Sequence, residues 1–318
     1  MKSRLTISLT GGLGNQLFQL AAGLALRGSK QLVVTPVFGN PRLNAHMEPE
    51  LLSFQIPKNI KLTSANSAPY FLKKVSGYLL RIGVNPRKFE KIYFFRKLIK
   101  LFGSFLFTFY FKSPTFVKFS TGTGYYSFHS IRGNSLLFGY FQSYKWVATD
   151  EVKKQMMELV PKGNSPEVNN YELLAESEKP LVVHVRLGDY LNEKGFGNLP
   201  SSYYNEAITK ALRMASFGSL WLFSDDVNEA KKILPSNITL PIRVISQVQN
   251  STALTFQVMR LGHGFVIANS TFSWWAAYLR FNLDAKIIAP TPWFRDFPEP
   301  IALIPNEWFR VDARFPVF

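Results

Sequence analysis

The alternation of short apolar strands with helices in the C-terminal half constrains the fold of this chain more than any other feature. Strands are predicted at 181–185, 220–223, 243–245, 265–268 and 286–289, and helices at 202–215, 227–234, 252–261 and 272–279. Such alternation predicts a parallel sheet covered by helices on both faces. Because 318 residues exceed the usual size of one domain, the expected architecture is α/β with two domains.

The N-terminal half opens with the same kind of unit. Leu5–Leu9 is predicted to be a strand, Gly11–Asn15 a glycine turn, and Gln16–Leu26 a helix with closely spaced apolar residues. The acid- and lysine-rich stretch 150–178, broken by proline and glycine, separates the halves. We therefore predict domains at 1–150 and 151–318.

Composition excludes several classes of site. The chain has no cysteine, which removes disulfides, thiol nucleophiles, iron–sulfur clusters and thiolate zinc sites. Its first ten residues are too polar for a signal peptide, and the apolar run at 101–111 is well short of the ~20 residues of a membrane-spanning helix. We expect a cytoplasmic protein without a transmembrane span.

The net charge of +16 is unevenly distributed. Between Lys73 and Lys112, ten basic side chains stand against the single acid Glu90, in a stretch that also carries many aromatic residues at helical spacing. We predict a helical insertion at about 70–119. It either contacts an anionic membrane face peripherally or packs its aromatic side on the N-terminal domain. Nucleic acid is not expected as a partner, because no recognisable nucleic-acid module accompanies the stretch.

Polar clusters follow three of the predicted C-terminal strands, where ligands of parallel sheets bind. The first contains His184, Arg186 and Asp189. An arginine at a strand end is suited to bidentate capture of a phosphate, and an Arg186–Asp189 ion pair that fixes the turn is the alternative.

The second cluster is Ser224, Asp225 and Asp226. Paired aspartates at a strand end suit Mg²⁺ on a nucleotide diphosphate, hydrogen bonds from guanine or ribose, or the cap of the next helix. Metal-dependent transferases usually carry Asp-x-Asp, which is not found at this place. Capping by one aspartate is therefore favoured over metal binding.

The third cluster, Asn269, Ser270, Thr271 and Phe272, lies where a strand ends and a helix begins. Unpaired amides, the positive end of the helix dipole and two hydroxyls form a diphosphate site that needs no metal. A plain helix cap would use the same amides.

The glycine turn Gly11–Gly14 lacks the spacing of a dinucleotide fingerprint and the lysine of a phosphate-binding loop, which argues against a dehydrogenase or an ATPase. It offers close backbone approach at Gly12 and the amides of Asn15 and Gln16. We place these three residues among the candidate donor contacts.

Four ordered segments together resemble the bacterial α-1,2-fucosyltransferases of glycosyltransferase family 11. They are GGLGNQLFQ at 11–19, HVRLGDY at 184–190, FSDD at 223–226 and NSTFSWWAAYL at 269–279, followed by Pro292 and Trp293. The resemblance implies a GT-B architecture, in which two Rossmann-like domains face each other across a cleft. It also implies that the N-terminal domain serves the acceptor and the C-terminal domain the donor, GDP-fucose.

The resemblance further implies inversion at the fucose carbon, an acceptor ending in galactose, and no metal or other cofactor. Arg186 matches the arginine expected to hold the β-phosphate, and Ser270, Thr271 and Phe272 match positions that contact the diphosphate. The sequence departs from the family at Leu187, where a second arginine is usual. Candidates for the general base are His184, Asp189 and a group near Asn15.

Two alternatives stay open at this point. One is a transferase for another nucleotide sugar with a metal at Asp225 and Asp226. The other is a basic glycan- or polyanion-binding protein without catalysis.

Overall fold

The computed structural model describes residues 3–36, 49–63, 69–84, 93–120, 122–128, 131–163, 165–188 and 195–316. The chain forms two compact units. The first is Met1–Val160 with Pro300–Leu303, and the second is Pro161–Glu299 with Ile304–Phe318. The first unit thus extends ten residues beyond the predicted boundary at 150.

In the first unit, five parallel strands pair in the order β3-β2-β1-β5-β4. The elements are β1 (Arg4–Ser8), α1 (Leu13–Leu26), β2 (Gln31–Thr35), β3 (Ile60–Leu62), α2 (Tyr70–Val84), α3 (Tyr93–Phe111), β4 (Thr115–Phe119), β5 (Asn134–Phe138) and α4 (Asp150–Met157), with short 3₁₀ helices at Glu50–Ser53 and Tyr144–Val147.

Helix α4 explains the shift of the boundary. Its buried Val152 and Met156 pack toward α1 and the second 3₁₀ helix, so the helix belongs to the first core. Its charged composition resembles a linker, but one apolar stripe of two residues is enough to dock it.

The predicted insertion at 70–119 contains the helices α2 and α3 and ends in a strand. Both helices pack toward β4, around Leu79, Phe107, Val117 and Phe138. In Thr115–Phe119, buried residues alternate with exposed or half-buried ones, and the segment forms the edge strand β4 of the sheet. The helical spacing of the aromatic residues therefore predicts the two helices correctly. It does not predict the strand that follows them, in which buried residues recur at every second position.

The segment Pro300–Leu303 joins the first unit through backbone contacts. The Tyr125 amide donates to the Ile301 carbonyl at 3.0 Å, while the Ser143 hydroxyl and the Tyr144 amide donate to the Ala302 carbonyl at 2.7 and 3.0 Å. A Cβ on Gly124 would lie 2.2 Å from the Ile301 nitrogen, so only glycine allows this approach.

In the second unit, six parallel strands pair in the order β11-β10-β9-β6-β7-β8. The elements are α5 (Pro166–Glu178), β6 (Leu181–Val185), α6 (Ser201–Met214), β7 (Leu220–Ser224), α7 (Val227–Ile233), β8 (Ile242–Ile245), α8 (Thr252–Met259), β9 (Gly264–Val266), α9 (Thr271–Tyr278), β10 (Lys286–Thr291) and β11 (Phe309–Asp312). Strands β6 and β7 are buried throughout, as expected for a sheet covered on both faces.

The predicted α/β class, with a parallel sheet in each half, is confirmed. Within the described ranges, none of the helices combines the length and apolar character needed to cross a bilayer.

Candidate functional site

The strand order of the second unit marks one place for a ligand. From β6 the chain proceeds through β7 to β8 on one side, and from β9 through β10 to β11 on the other. The carboxyl ends of β6 and β9 therefore flank a topological switch point, where open parallel sheets bind their ligands. Arg186 follows β6, and Ser270 lies between β9 and α9.

Arg186 is anchored by an aspartate from the neighbouring strand. Its Nη1 lies 3.2 Å from Asp225 Oδ2, directly after β7. The amides of Leu187 and Gly188 donate to the two oxygens of the same carboxylate at 3.0 and 2.9 Å. About a third of the Arg186 side chain, 31%, stays exposed, so the guanidinium is held in place and accessible at once.

Asp225 is ionised at neutral pH. Burial pushes its pKa up, but the Leu187 amide, the Arg186 charge and the Gly188 amide outweigh burial and leave the pKa below its ordinary value. The alternative that the sequence left open, a pair of Arg186 with Asp189, lies outside the described residues. Among the described residues, Asp225 is a partner of Arg186.

The two residues that follow Arg186 each have a structural role in this turn. A Cβ on Gly188 would lie 2.6 Å from Asp225 Oδ2, so glycine lets the loop close on the carboxylate. The Leu187 side chain is 8% exposed and packs into the core of the second unit. Where the family usually has a second arginine, this chain therefore has a core side chain.

His184 lies inside β6, two residues before Arg186. It is 5% exposed, and its ring centroid lies 6.2 Å from that of Phe272. Burial, assisted by the Arg186 charge and opposed by Asp225, lowers its pKa to about 3. His184 is therefore neutral at physiological pH, and so low a pKa makes it a weak proton acceptor there.

The N-terminus of α9 completes the site on the β9 side. Ser270 is 7% exposed, and its hydroxyl caps the helix by accepting from the Phe272 amide at 3.3 Å. Thr271, the first helical residue, is half-buried. The positive end of the helix dipole thus lies beside the strand that carries Arg186.

Asn269 has a different contact from the one expected of a ligand-binding residue. It is 1% exposed, and its Nδ2 donates to the carbonyls of Phe196 and Gly197 at 3.3 and 3.0 Å. These bonds tie the segment before α6 to the end of β9. Its place in the donor site stays a prediction.

Ser224 and Asp226 shape the turn after β7. The Ser224 hydroxyl donates to the Asp226 carbonyl and accepts from the Asp226 amide, both at 3.0 Å. Asp226 Oδ1 accepts from the Glu229 amide at 3.1 Å and caps α7. The predicted helix cap is thus Asp226, while Asp225 engages Arg186. Whether the site takes a metal stays a prediction.

Two tyrosines of α6 position the strand ends, and the sequence reasoning missed both. Tyr203 donates to the Ile267 carbonyl at 2.7 Å, and Tyr204 donates to the His184 carbonyl at 3.3 Å. A polar tip on two fully buried aromatic residues is the available signal, but their partners depend on how α6 packs.

In the first unit, the glycine turn is occupied by internal contacts. The Gln16 side chain donates to the Gly11 carbonyl and accepts from the Leu51 amide, both at 2.9 Å. The amides of Asn15 and Gln16 donate to the Gly12 carbonyl at 3.0 and 3.2 Å. The first turn of α1 therefore uses these two amides, and the place of Asn15 and Gln16 among the donor contacts stays a prediction.

Glu50 occupies the start of α1, and the sequence reasoning missed it as well. Its carboxylate accepts from the Leu13 amide at 2.5 Å, at the positive end of the helix dipole. Asn15, beside it, accepts from the Gln142 side chain at 2.9 Å. Nothing local predicts Glu50, since the two partners are 37 residues apart.

Comparison with known proteins bears on this arrangement. The profile of the family described as "Glycosyl transferase family 11" matches residues 113–310, well over half of the chain. The chain belongs to glycosyl transferase family 11. The matched region contains the Arg186, Asp225 and Ser270 segments, which confirms the resemblance drawn from them and makes the chain a glycosyltransferase.

Two full-length relatives come from Escherichia coli. An alpha-1,2-colitosyltransferase is 24% identical over 96% of this chain and 97% of its own length. The O-antigen biosynthesis glycosyltransferase WbnK is 25% identical over 90% and 93%.

Among solved structures, NodZ alpha-1,6-fucosyltransferase co-crystallized with GDP is 13% identical, covers 88% of this chain and 93% of its own, and has a TM-score of 0.46. A glycosyl transferase family 9 protein from Veillonella parvula is 10% identical over 99% and 88%, with a TM-score of 0.49. Likeness of this degree carries no residue-by-residue correspondence.

Proposed function

We propose that this family 11 glycosyltransferase transfers L-fucose from GDP-β-L-fucose to the 2-hydroxyl of a terminal galactose, with inversion and without a metal. The observation that carries the proposal is Arg186, anchored by Asp225 and partly exposed at the switch point beside the N-terminus of α9. A fixed guanidinium and a helix N-terminus are both ready to receive a diphosphate.

In the proposed reaction, negative charge grows on the leaving GDP while the acceptor hydroxyl attacks from the opposite side of the fucose carbon. Arg186 and the first amides of α9 stabilise that charge. Because Asp225 fixes the arginine beforehand, little reorganisation is needed during the reaction. A preorganised donor of this kind typically contributes about 3–4 kcal/mol to lowering the barrier.

In this proposal, the neutral and buried His184 has a structural role in β6, the strand that leads to Arg186. Its low pKa argues against it as the general base, which leaves Asp189 and a group near Asn15 as proposed bases. A donor contact from Gly12, Asn15 or Gln16 would need atoms other than the amides that α1 uses. The proposal also includes binding of the acceptor glycan by the first unit.

A colitose donor is the second candidate, favoured by the activity that the name of one relative states. Colitose is L-fucose without its 3-hydroxyl, so the two donors differ by one hydrogen-bonding group. A site built to bind that hydroxyl rejects the deoxy sugar by about 10⁴-fold or more, whereas a site without such contacts discriminates weakly.

The test is to measure kcat/KM for GDP-fucose and GDP-colitose with galactose-terminated acceptors, and to assign the product linkage by NMR. The proposal expects GDP-fucose to be preferred and the new bond to be α-1,2. Preference for GDP-colitose would replace fucose with the second candidate. The metal-free mechanism would be overturned if a strong chelator abolished activity and Mg²⁺ or Mn²⁺ restored it. Catalysis itself would be contradicted if the protein bound polyanions in a salt-sensitive way but released no GDP.

A further inference from the structure

Helix α3 has an apolar stripe that points away from the core of the first unit. Its members recur at helical spacing, three or four residues apart, and run for about 16 Å along the helix. They are 46–79% exposed and comprise Leu98, Leu101, Phe102, Phe105 and Phe109.

The opposite side of α3 already fills the core. Phe107 is fully buried against Phe138 of β5, with a ring-centroid distance of 6.2 Å, and Leu106 and Tyr110 pack around it. The helix is therefore apolar on two sides, and its sheet covers only one of them. A helix of this kind needs a second apolar environment.

Helix α2 packs against α3 and carries exposed apolar side chains of its own. Tyr70, Phe71 and Tyr78 are 75%, 63% and 56% exposed. Apolar patches of this extent are unusual on monomeric soluble proteins and mark sites of interaction. We call the exposed side chains of the two helices the aromatic–lysine face.

Lysines supply the charge of this face. Lys74, Lys97 and Lys112 are exposed, and Lys73 and Lys100 are half-buried. Between positions 70 and 112 the sequence contains a single acid, Glu90. Lysines that border an apolar face can lay their aliphatic stems along it and keep the ammonium groups outside.

The charge distinguishes between two occupants. A second copy of this chain, related by a two-fold axis, would place lysines against lysines with few acids to compensate. An anionic lipid surface complements the lysines with headgroup phosphates and receives the aromatic rings at the boundary of its acyl chains. We propose that the aromatic–lysine face docks the first unit onto an anionic membrane surface. The proposal stands apart from the choice of donor, because none of these residues belongs to the candidate site.

The test is flotation of the full chain with phosphatidylcholine vesicles, with and without phosphatidylglycerol, at low and high salt. We expect flotation only with the anionic vesicles, and release by salt. The apolar variant Phe102→Ser, Phe105→Ser, Phe109→Ser should bind at least about 100-fold more weakly, because buried aromatic area is lost. Its control changes Leu173 and Leu283 to Ser, two equally exposed leucines of the second unit.

The charge variant Lys74→Gln, Lys97→Gln, Lys112→Gln should also bind about 100-fold more weakly. Its control changes three exposed lysines outside the face, Lys153, Lys154 and Lys286, to Gln and removes the same net charge. Thermal unfolding of each variant is the control for an intact fold.

Because the chain lacks cysteine, a polarity-sensitive dye can be attached at Phe105→Cys or, as control, at Leu173→Cys. Its emission should shift to the blue with anionic vesicles at position 105 alone. The proposal fails if the wild type does not bind anionic vesicles at low salt, or if control and face variants lose binding equally. It also fails if the face variants abolish a dimer in sedimentation while vesicle binding persists.

Discussion

The two sheets present the same kind of turn, a strand followed by a helix N-terminus, but fill it in opposite ways. In the first unit, the carboxylate of Glu50 occupies the start of α1. In the second, Ser270 caps α9, and the adjacent strand adds the partly exposed guanidinium of Arg186. One turn carries its own anion, whereas the other is arranged to receive one. A helix dipole alone therefore does not identify an anion site.

The largest expected effect tests the second turn. Arg186→Lys should lower kcat/KM by about 10²–10³-fold, because an ammonium cannot keep the Asp225 contact and also form a bidentate pair with a phosphate. GDP release in the transfer assay measures this loss. Arg243→Lys, which alters the Arg243–Glu178 pair away from the site, is the matched control and should keep its turnover. Near-wild-type turnover of folded Arg186→Lys would remove the arginine from the mechanism.

The support of Arg186 gives the next effect. Asp225→Asn should lower kcat/KM by about 10- to 100-fold, the factor for losing hydrogen bonds to a charged group worth about 1.5–3 kcal/mol. The amide group of Asn would also oppose one of the two backbone donors, Leu187 or Gly188. Asp296→Asn, which weakens an exposed pair with Arg295, is the control. Equal activity of both variants would mean that Arg186 needs no anchor.

The third effect concerns stability and pH. With a folded pKa of about 3, below its ordinary 6.5, His184 stays neutral in the folded chain while the unfolded chain binds its proton. Its contribution to stability is therefore present above pH 6.5 and is lost as the pH falls toward 3.

His184→Phe should remove this component from the pH dependence of thermal unfolding. Burial also lowers the pKa of His263, but this residue is the same in the wild type and the variant, so it contributes equally to both pH profiles. The difference between the two profiles of unfolding temperature against pH therefore reports on His184 alone. Identical losses of stability below pH 6.5 in both proteins would contradict a neutral His184 in the folded chain.

The smallest effect tests the first turn. Glu50→Gln keeps an acceptor for the Leu13 amide but removes the charge, and should lower the free energy of unfolding by about 0.3–1 kcal/mol. Denaturant titration measures this change. We expect turnover to stay within a factor of a few. A fall in kcat of a hundredfold or more, with the fold intact, would break the comparison and make Glu50 a candidate base.

Sequence reasoning succeeded where the signal is local. The stretch 181–185, apolar except for His184, predicts β6 with the bounds that the structure has, because strands buried on both faces are nearly continuous in apolar residues. Helix α1, in contrast, begins at Leu13 and not at Gln16 as predicted. Apolar periodicity reports which side chains face the core, while the helix start is set by backbone bonds to Gly12.

Contacts between distant positions were beyond the sequence. Asp225 meets the Leu187 amide because β6 and β7 pair in a register that places Val185 opposite Ser224. A shift of one residue would turn the side chains to the opposite face of the sheet. The sequence could therefore place Arg186 and Asp225 at strand ends, but it could not pair them.

The segment Pro300–Leu303 affects how the protein can be divided. Most of the first unit lies before Val160, yet its last contacts come from these four residues far along the chain. A fragment ending at 160 would leave the Tyr125 and Tyr144 amides and the Ser143 hydroxyl without the carbonyls of Ile301 and Ala302. An isolated first unit would need the segment 300–303 as an added peptide, since cutting the chain at one position cannot keep both parts of this unit together.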